Sequence, residues 1–236
     1  MNKPTARRPP TLAIYLSILA TALLLTACDD PFHPDIRITG PDGVVGSGQV
    51  ASESRAVAGF HGVAMSGVGQ LLIDRNGSER LIVTAEDNVL PYLTSTVAGG
   101  LLELGITPGV NLSTSRQILY EVSARTLDEI RVSGAGLVEA IGVDTPSLYV
   151  DLSGAANVTT FGQADNQEIH ISGAGRYDGA AVSSRVVTVT VSGAGLARVR
   201  VADLLTATVS GAGAIEYYGD PVIRVNGGGT VRRMGP

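Results

Sequence analysis

The sequence predicts an all-β protein: a coil of short parallel strands, a β-helix or related solenoid, with a mixed or antiparallel β cap on its N-terminal side. Three observations carry this. The phrase Ser-Gly-Ala-Gly recurs at Ser133, Ser172, Ser192 and Ser210, with a near copy, Ser-Gly-Ala-Ala, at Ser153, so that the steps are 20, 19, 20 and 18 residues. A fixed period of that size marks stacked structural units, each burying its apolar face against the next. The residues before each serine alternate apolar and polar, the mark of a strand with one buried face. No convincing amphipathic helix separates the copies, so no helical crossover links the strands.

The chain opens with Lys3, Arg7 and Arg8, and then runs from Thr11 to Ala27 without a charge. A basic start, an apolar middle and a small-residue end make a secretory signal. It ends Leu25-Thr26-Ala27-Cys28, and Cys28 is the single cysteine. The pattern resembles the bacterial lipoprotein signal, which implies cleavage after residue 27, lipidation of Cys28 and a chain held at the cell envelope, facing the periplasm or the cell surface. With that thiol acylated, none remains for a disulfide, a thiolate metal site or a nucleophile. Residues 28–54 hold Pro31, Pro34, Pro41 and several glycines and read as a tether. Residues 55–236 are then one β-helical domain, long enough for a substantial core.

Residues 1–27 take three of the 17 basic residues and none of the 22 acidic ones, which leaves the mature chain at a formal charge of −8 without a lysine. An acidic surface argues against nucleic acid and against a polybasic grip on anionic lipid. Between 55 and 125 the strand grammar is looser: Gln70–Asp74, Leu81–Ala85 and Leu101–Leu104 read as strands, and Asn76-Gly77 as a hairpin turn. This part forms the cap.

From residue 126 onward the repeat sets the register. One residue before each serine lie Val132, Leu152, Ile171, Val191 and Val209; three before lie Ile130, Val150, Ile169, Val189 and Ala207; five before lie Asp128, Leu148, Gln167, Val187 and Leu205. These are the expected inward columns. The outward rows are Arg131, Asp151, His170, Thr190 and Thr208, and Glu129, Tyr149, Glu168, Thr188 and Thr206. Stacking predicts that Arg131 meets Asp151 and that Asp151 meets His170 across adjacent strands. The glycines fit a corner, through positive φ or close backbone approach. Asn226-Gly227-Gly228-Gly229 reads as a degenerate last rung, with Pro221, Arg232 and Arg233 placed to blunt the open edge.

Taken together, Val57–Val63, Ala85–Tyr92, the Ser-Gly-Ala-Gly series and Gly211–Pro221 resemble the GIN domain, the head domain of "putative auto-transporter adhesins". The resemblance covers almost the whole mature domain. It implies a right-handed β-helical fold on surface or periplasmic lipoproteins and assigns no catalytic residue. Many relatives carry an acidic residue after the second repeat glycine. Here that place holds Leu137, Asn157, Arg176, Leu196 and Ala214.

Familiar reactive patterns are missing from the sequence. Gly134-Ala135-Gly136 and Gly211-Ala212-Gly213 lack the third glycine of a dinucleotide loop, with Glu139 and Glu216 in its place. No repeat serine follows a glycine by two residues, as a nucleophile elbow requires; a turn serine instead tends to bond to nearby backbone. His33, His61 and His170 show no metal-ligand spacing, and no cofactor is expected. The sequence therefore favours a non-enzymatic, membrane-anchored envelope lipoprotein whose rigid surface serves adhesion, scaffolding or binding of a protein or glycan, with Glu129, Arg131, Tyr149, Asp151, Glu168 and His170 as the candidate polar surface. Open coil ends also permit association between copies. Two alternatives stand beside this: a β-helical polysaccharide lyase or hydrolase with Arg131, Arg176 or Arg198 as base, and a periplasmic sensor or assembly partner.

Overall fold

The computed structural model describes residues 43–235. Cys28, the signal segment and residues 28–42 of the expected tether lie outside these. The described chain runs through strands β1 (Gly43–Val45), β2 (Val50–Arg55), β3 (Gly62–Met65), β4 (Val68–Arg75), β5 (Arg80–Glu86), β6 (Leu93–Ala98), β7 (Leu101–Ile106), β8 (Asn111–Ser113), β9 (Leu119–Ala124) and β10 (Glu129–Val132). It continues through the long strands β11 (Ala135–Leu152), β12 (Asn157–Ile171), β13 (Arg176–Val191) and β14 (Leu196–Val209), then β15 (Ala214–Tyr218), β16 (Val222–Gly227) and β17 (Thr230–Gly235). The result is a β-solenoid of about five turns.

Each long strand bends and serves two walls. The residues before the repeat serine form a front wall, in parallel order β7, β3, β10, then the second halves of β11–β14, then β16. The residues after the phrase form a back wall, in parallel order β9, β4, the first halves of β11–β14, β15 and β17. At the N-terminal side the walls change character, as the sequence predicts. The front wall ends in the antiparallel pair β6–β7, and the back wall in antiparallel β2–β5–β9.

The repeated phrase does turn the same corner at each level. Ser153, Ser172, Ser192 and Ser210 donate their backbone N–H to Val132, Leu152, Ile171 and Val191 respectively, at 2.9–3.0 Å. The hydrogen-bond ladder therefore runs on through the bend. The first glycine of each phrase has ordinary negative φ, so glycine is required here by crowding rather than by handedness. A Cβ on Gly154, Gly173, Gly193 or Gly211 would lie 1.9–2.2 Å from the carbonyl oxygen of the glycine one turn below.

The expected columns fill the interior. Val150, Ile169 and Val189 are fully buried, as are Val132, Leu152, Ile171, Val191 and Val209 beside them. Each such side chain contributes roughly 1.5–3 kcal/mol by leaving water. Asp128 departs from its column: it is half-exposed and its carboxylate meets His61 Nδ1 at 2.7 Å. Gln167 stays in its column because its amide oxygen and nitrogen each find a partner. Tyr177 Oη donates to Gln167 Oε1 at 2.6 Å, and Gln167 Nε2 donates to Ser184 Oγ at 2.6 Å. Tyr177's one proton is thus committed, so Thr160 Oγ1, 2.9 Å away, donates to the phenol oxygen. Burial pushes that phenol well above its ordinary pKa.

Residues 43–54, expected within the tether, are folded. β1 pairs with β8 in parallel and β2 with β5 in antiparallel register. The buried Glu86 carboxylate helps to fix this segment. It accepts bonds from Ser115 Oγ (2.8 Å), Ser115 N (3.2 Å) and Gly48 N (2.8 Å), which hold its pKa below the usual range. Gly46 passes so close that a Cβ would overlap this carboxylate. The glycines that read as linker are the residues that let the backbone approach the acid.

Candidate functional site

The six candidate residues sit on the outer face of the front wall in the predicted register. Glu129, Tyr149 and Glu168 are neighbours on β10, β11 and β12, and so are Arg131, Asp151 and His170. Alternation forces this, because the residues between them are the column aliphatics and side chains reverse face at each step.

The pairing within the array differs from expectation. Arg131 Nε bonds Glu129 Oε1 at 2.5 Å, and His170 Nε2 lies 2.9 Å from Glu168 Oε1. Both pairs run along a strand, between residues two apart, rather than across to Asp151. The intervening Tyr149 explains why. The Arg131 guanidinium lies 5.8 Å from the Tyr149 ring centre, within cation–π range, and the His170 ring centre lies 5.6 Å from it on the next rung. Glu129 and Glu168 flank Tyr149 in the same row and hold the two bases beside its ring. Packing on the wall raises the Tyr149 phenol pKa, and Asp151 adds to this. Asp151 makes no ion pair among the described residues and is left facing the groove.

The groove is the feature that the repeat alone does not reveal. Next to Arg131 in register stands Ala64 on β3, and beyond it Glu103 on β7; next to Glu129 stands Gly62. Ala64, small between the taller Glu103 and Arg131, opens a cleft of about 340 Å³, lined by Glu103, Arg131, Asp151 and the serines Ser66, Ser133 and Ser153; the space over Gly62 is taken by Leu101 and Glu129. Arg131 also borders a shallower hollow with Glu129, Ser147 and Tyr149. Contrary to the expectation for turn serines, the repeat hydroxyls, those of Ser133 and Ser153 among them, bond to no backbone group among the described residues and are exposed. These are free to meet a ligand, whereas Ser66 Oγ donates to Leu104 O at 3.4 Å. Of these residues Ser66 had a signal in the sequence. Ser66-Gly67-Val68-Gly69 occupies the repeat corner, where Ser133 N bonds Met65 O at 3.0 Å and Ala135 N bonds Gly67 O at 2.9 Å.

Chemically, the cleft offers one cation, two carboxylates and three hydroxyls on a stiff sheet. This mixture of donors and acceptors suits hydrogen bonding to a polar ligand. Among the described residues no group of three His, Cys, Asp or Glu side chains is placed to hold a metal. Of the arginines considered as bases, Arg198 is engaged on the back wall. Its Nε bonds Glu216 Oε2 at 2.5 Å, its Nη1 lies 3.6 Å from Asp178, and the Glu216 bond raises its pKa further. Such a guanidinium is a poor proton acceptor.

With this geometry in hand, comparison with known proteins identifies the domain. The family model described as "Putative auto-transporter adhesin, head GIN domain" matches residues 59–221. Solved structures share the fold. A "putative adhesin" from Bacteroides fragilis superposes with a TM-score of 0.65 at 20% identity, covering 81% of this chain and all of that one. One from Parabacteroides distasonis gives 0.52 at 20% identity, covering 82% of this chain and all of that one. No curated protein sequence matches the chain.

Proposed function

The chain belongs to the GIN-domain family, described as "Putative auto-transporter adhesin, head GIN domain", and from that premise we propose that it is a non-catalytic adhesin-type lipoprotein of the cell envelope, anchored through Cys28, whose front-wall cleft is the contact surface. The observation that carries the reading is the cleft itself: Arg131, Asp151 and Glu103 line one recess with the unbonded hydroxyls of Ser133 and Ser153 and with Ser66, whose hydroxyl donates to Leu104 O. Such a surface suits a glycan or a polar protein segment, because each hydrogen bond is modest and several together give selectivity. The rigid ladder behind it reduces the ordering cost of binding.

The test is binding of the purified chain to glycan arrays and to envelope fractions, with Arg131→Ala and Asp151→Ala beside it. Loss of a bond to a charged group costs roughly 1.5–3 kcal/mol, so binding should weaken about tenfold or more. Binding unchanged in both variants would remove the cleft from the contact, and glycan cleavage by the purified chain would replace the reading with an enzymatic one. Anchoring is tested separately: Cys28→Ser should move the chain from the detergent phase to the aqueous phase on detergent partition of cells.

A further inference from the structure

The two ends of the solenoid are finished differently. At the N-terminal side antiparallel strands close both walls, and Phe60, Val89 and Leu93 are buried there. At the C-terminal side the last described strands present an open layer. Among the described residues β16 pairs only with β14, and β17 only with β15, so there both walls end in a strand with a free backbone edge. Ile223 and Val225 stand in register with the fully buried Leu205 and Ala207, in column positions, yet they are 39% and 51% exposed. They are core residues without a next layer.

The residues expected to blunt this edge stand beside β16 rather than on it. Arg232 and Arg233 lie on β17, where they pair with the buried Glu216 and with Asp220 (3.4 Å), and Pro221 lies just before β16. A free strand edge over an open apolar layer is a template for another strand.

We propose that this end takes a second copy of the chain, β16 pairing antiparallel with its counterpart about a two-fold axis through Val225. The sequence of β16 argues for that occupant and that register. Opposed residues in an antiparallel pair share a face, so the axis must fall on a residue rather than between two. An axis on Arg224 would oppose two guanidiniums, which is unfavourable. An axis on Val225 sets Val225 against the partner's Val225, Ile223 against the partner's Gly227, and Arg224 against the partner's Asn226. Apolar groups then meet apolar groups on the column side, Gly227 leaves room for Ile223, and no like charges oppose. The contact is isologous and closes at two copies. It is independent of the front-wall cleft.

The experiment is site-directed disulfide trapping in the full chain carrying Cys28→Ser, which removes the one native thiol. Opposed residues of an antiparallel pair have the Cα separation a disulfide needs. Val225→Cys should give a covalent dimer on non-reducing gels, while Val68→Cys, 52% exposed in the native chain, should not. Arg224→Cys should crosslink when mixed with Asn226→Cys and not alone. Sedimentation of the chain in solubilising detergent should give a dimer that Val225→Glu converts to monomer with unchanged circular dichroism. A monomeric native chain at micromolar concentration, or equal crosslinking at residues 225 and 68, would overturn the proposal.

Discussion

The carbonyl oxygen of Gly134 stands 1.9 Å from the point where a Cβ on Gly154 would lie. The same relationship joins Gly154 to Gly173, Gly173 to Gly193 and Gly193 to Gly211. The corner of this solenoid is therefore a stack of bare backbone, and its second residue is fixed by contact between turns.

Alanine at Gly173 should be severely destabilising, because both the added methyl and the carbonyl below it belong to a hydrogen-bonded backbone that cannot yield. The expected loss is at least about 2 kcal/mol, in the range of other overpacked interiors. Ala174→Ser, at the exposed next position, should stay within about 0.5 kcal/mol. Urea unfolding of the two variants measures both.

The inner polar cluster should behave as a unit. Tyr177→Phe leaves Gln167 Oε1 without its donor and Thr160 without its acceptor, which costs about 1–3 kcal/mol. Gln167→Leu strands Ser184 in the same way. The double variant should lose less than the sum of the two, since the groups that each change orphans are partly removed by the other. Strict additivity in a double-mutant cycle would show that the cluster is three separate contacts.

The limits of sequence reading follow from what fixes register. In a parallel coil the corner sets it, so counting back from each serine placed the Ile130–Ala207 and Val132–Val209 columns and both outer rows correctly. Counting six residues forward from each serine gives Glu139, Thr159, Asp178, Arg198 and Glu216, the back-wall row whose last members are ion-paired. That row was legible and was missed. Ser66-Gly67-Val68-Gly69 was harder, because β5 to β9 intervene before Ser133. The choice of Glu129 over Asp151 by Arg131 depends on rotamers around Tyr149, and no spacing encodes it. Residues 43–54 fold through long-range pairing with β5 and β8, which composition does not report.

Acid should loosen the C-terminal rung first. The Arg198 bond holds the Glu216 carboxyl below its ordinary range, burial opposes this, and the Arg232 bond adds to the lowering. A folded pKa below the unfolded one gives stability that is complete above the unfolded value, about 4.3 for glutamate, and that is lost as pH falls through the folded value. Unfolding midpoints should thus be flat above about pH 5 and decline below about pH 4. Glu216→Gln should lower the plateau and make the acid decline shallower. An identical pH slope in that variant would mean that other carboxylates, Glu86 among them, carry the acid sensitivity.

Ile169 and His170 are consecutive residues with opposite consequences. Ile169 fills its column with no exposure, and Ile169→Ala should cost about 2–5 kcal/mol as a core cavity. The exposed pairs Arg131–Glu129 and His170–Glu168 are surface ion pairs, worth about 0–1 kcal/mol each. Arg131→Ala and His170→Ala should therefore leave the unfolding curve within about 1 kcal/mol of the native chain. Stability and recognition separate cleanly on this wall, the one on the inner residues and the other on the outer. If Arg131→Ala abolishes ligand binding while its unfolding curve overlays the native one, the outer row is a contact surface. If it unfolds the domain, the row is part of the scaffold, and the cleft beside it loses its claim to function.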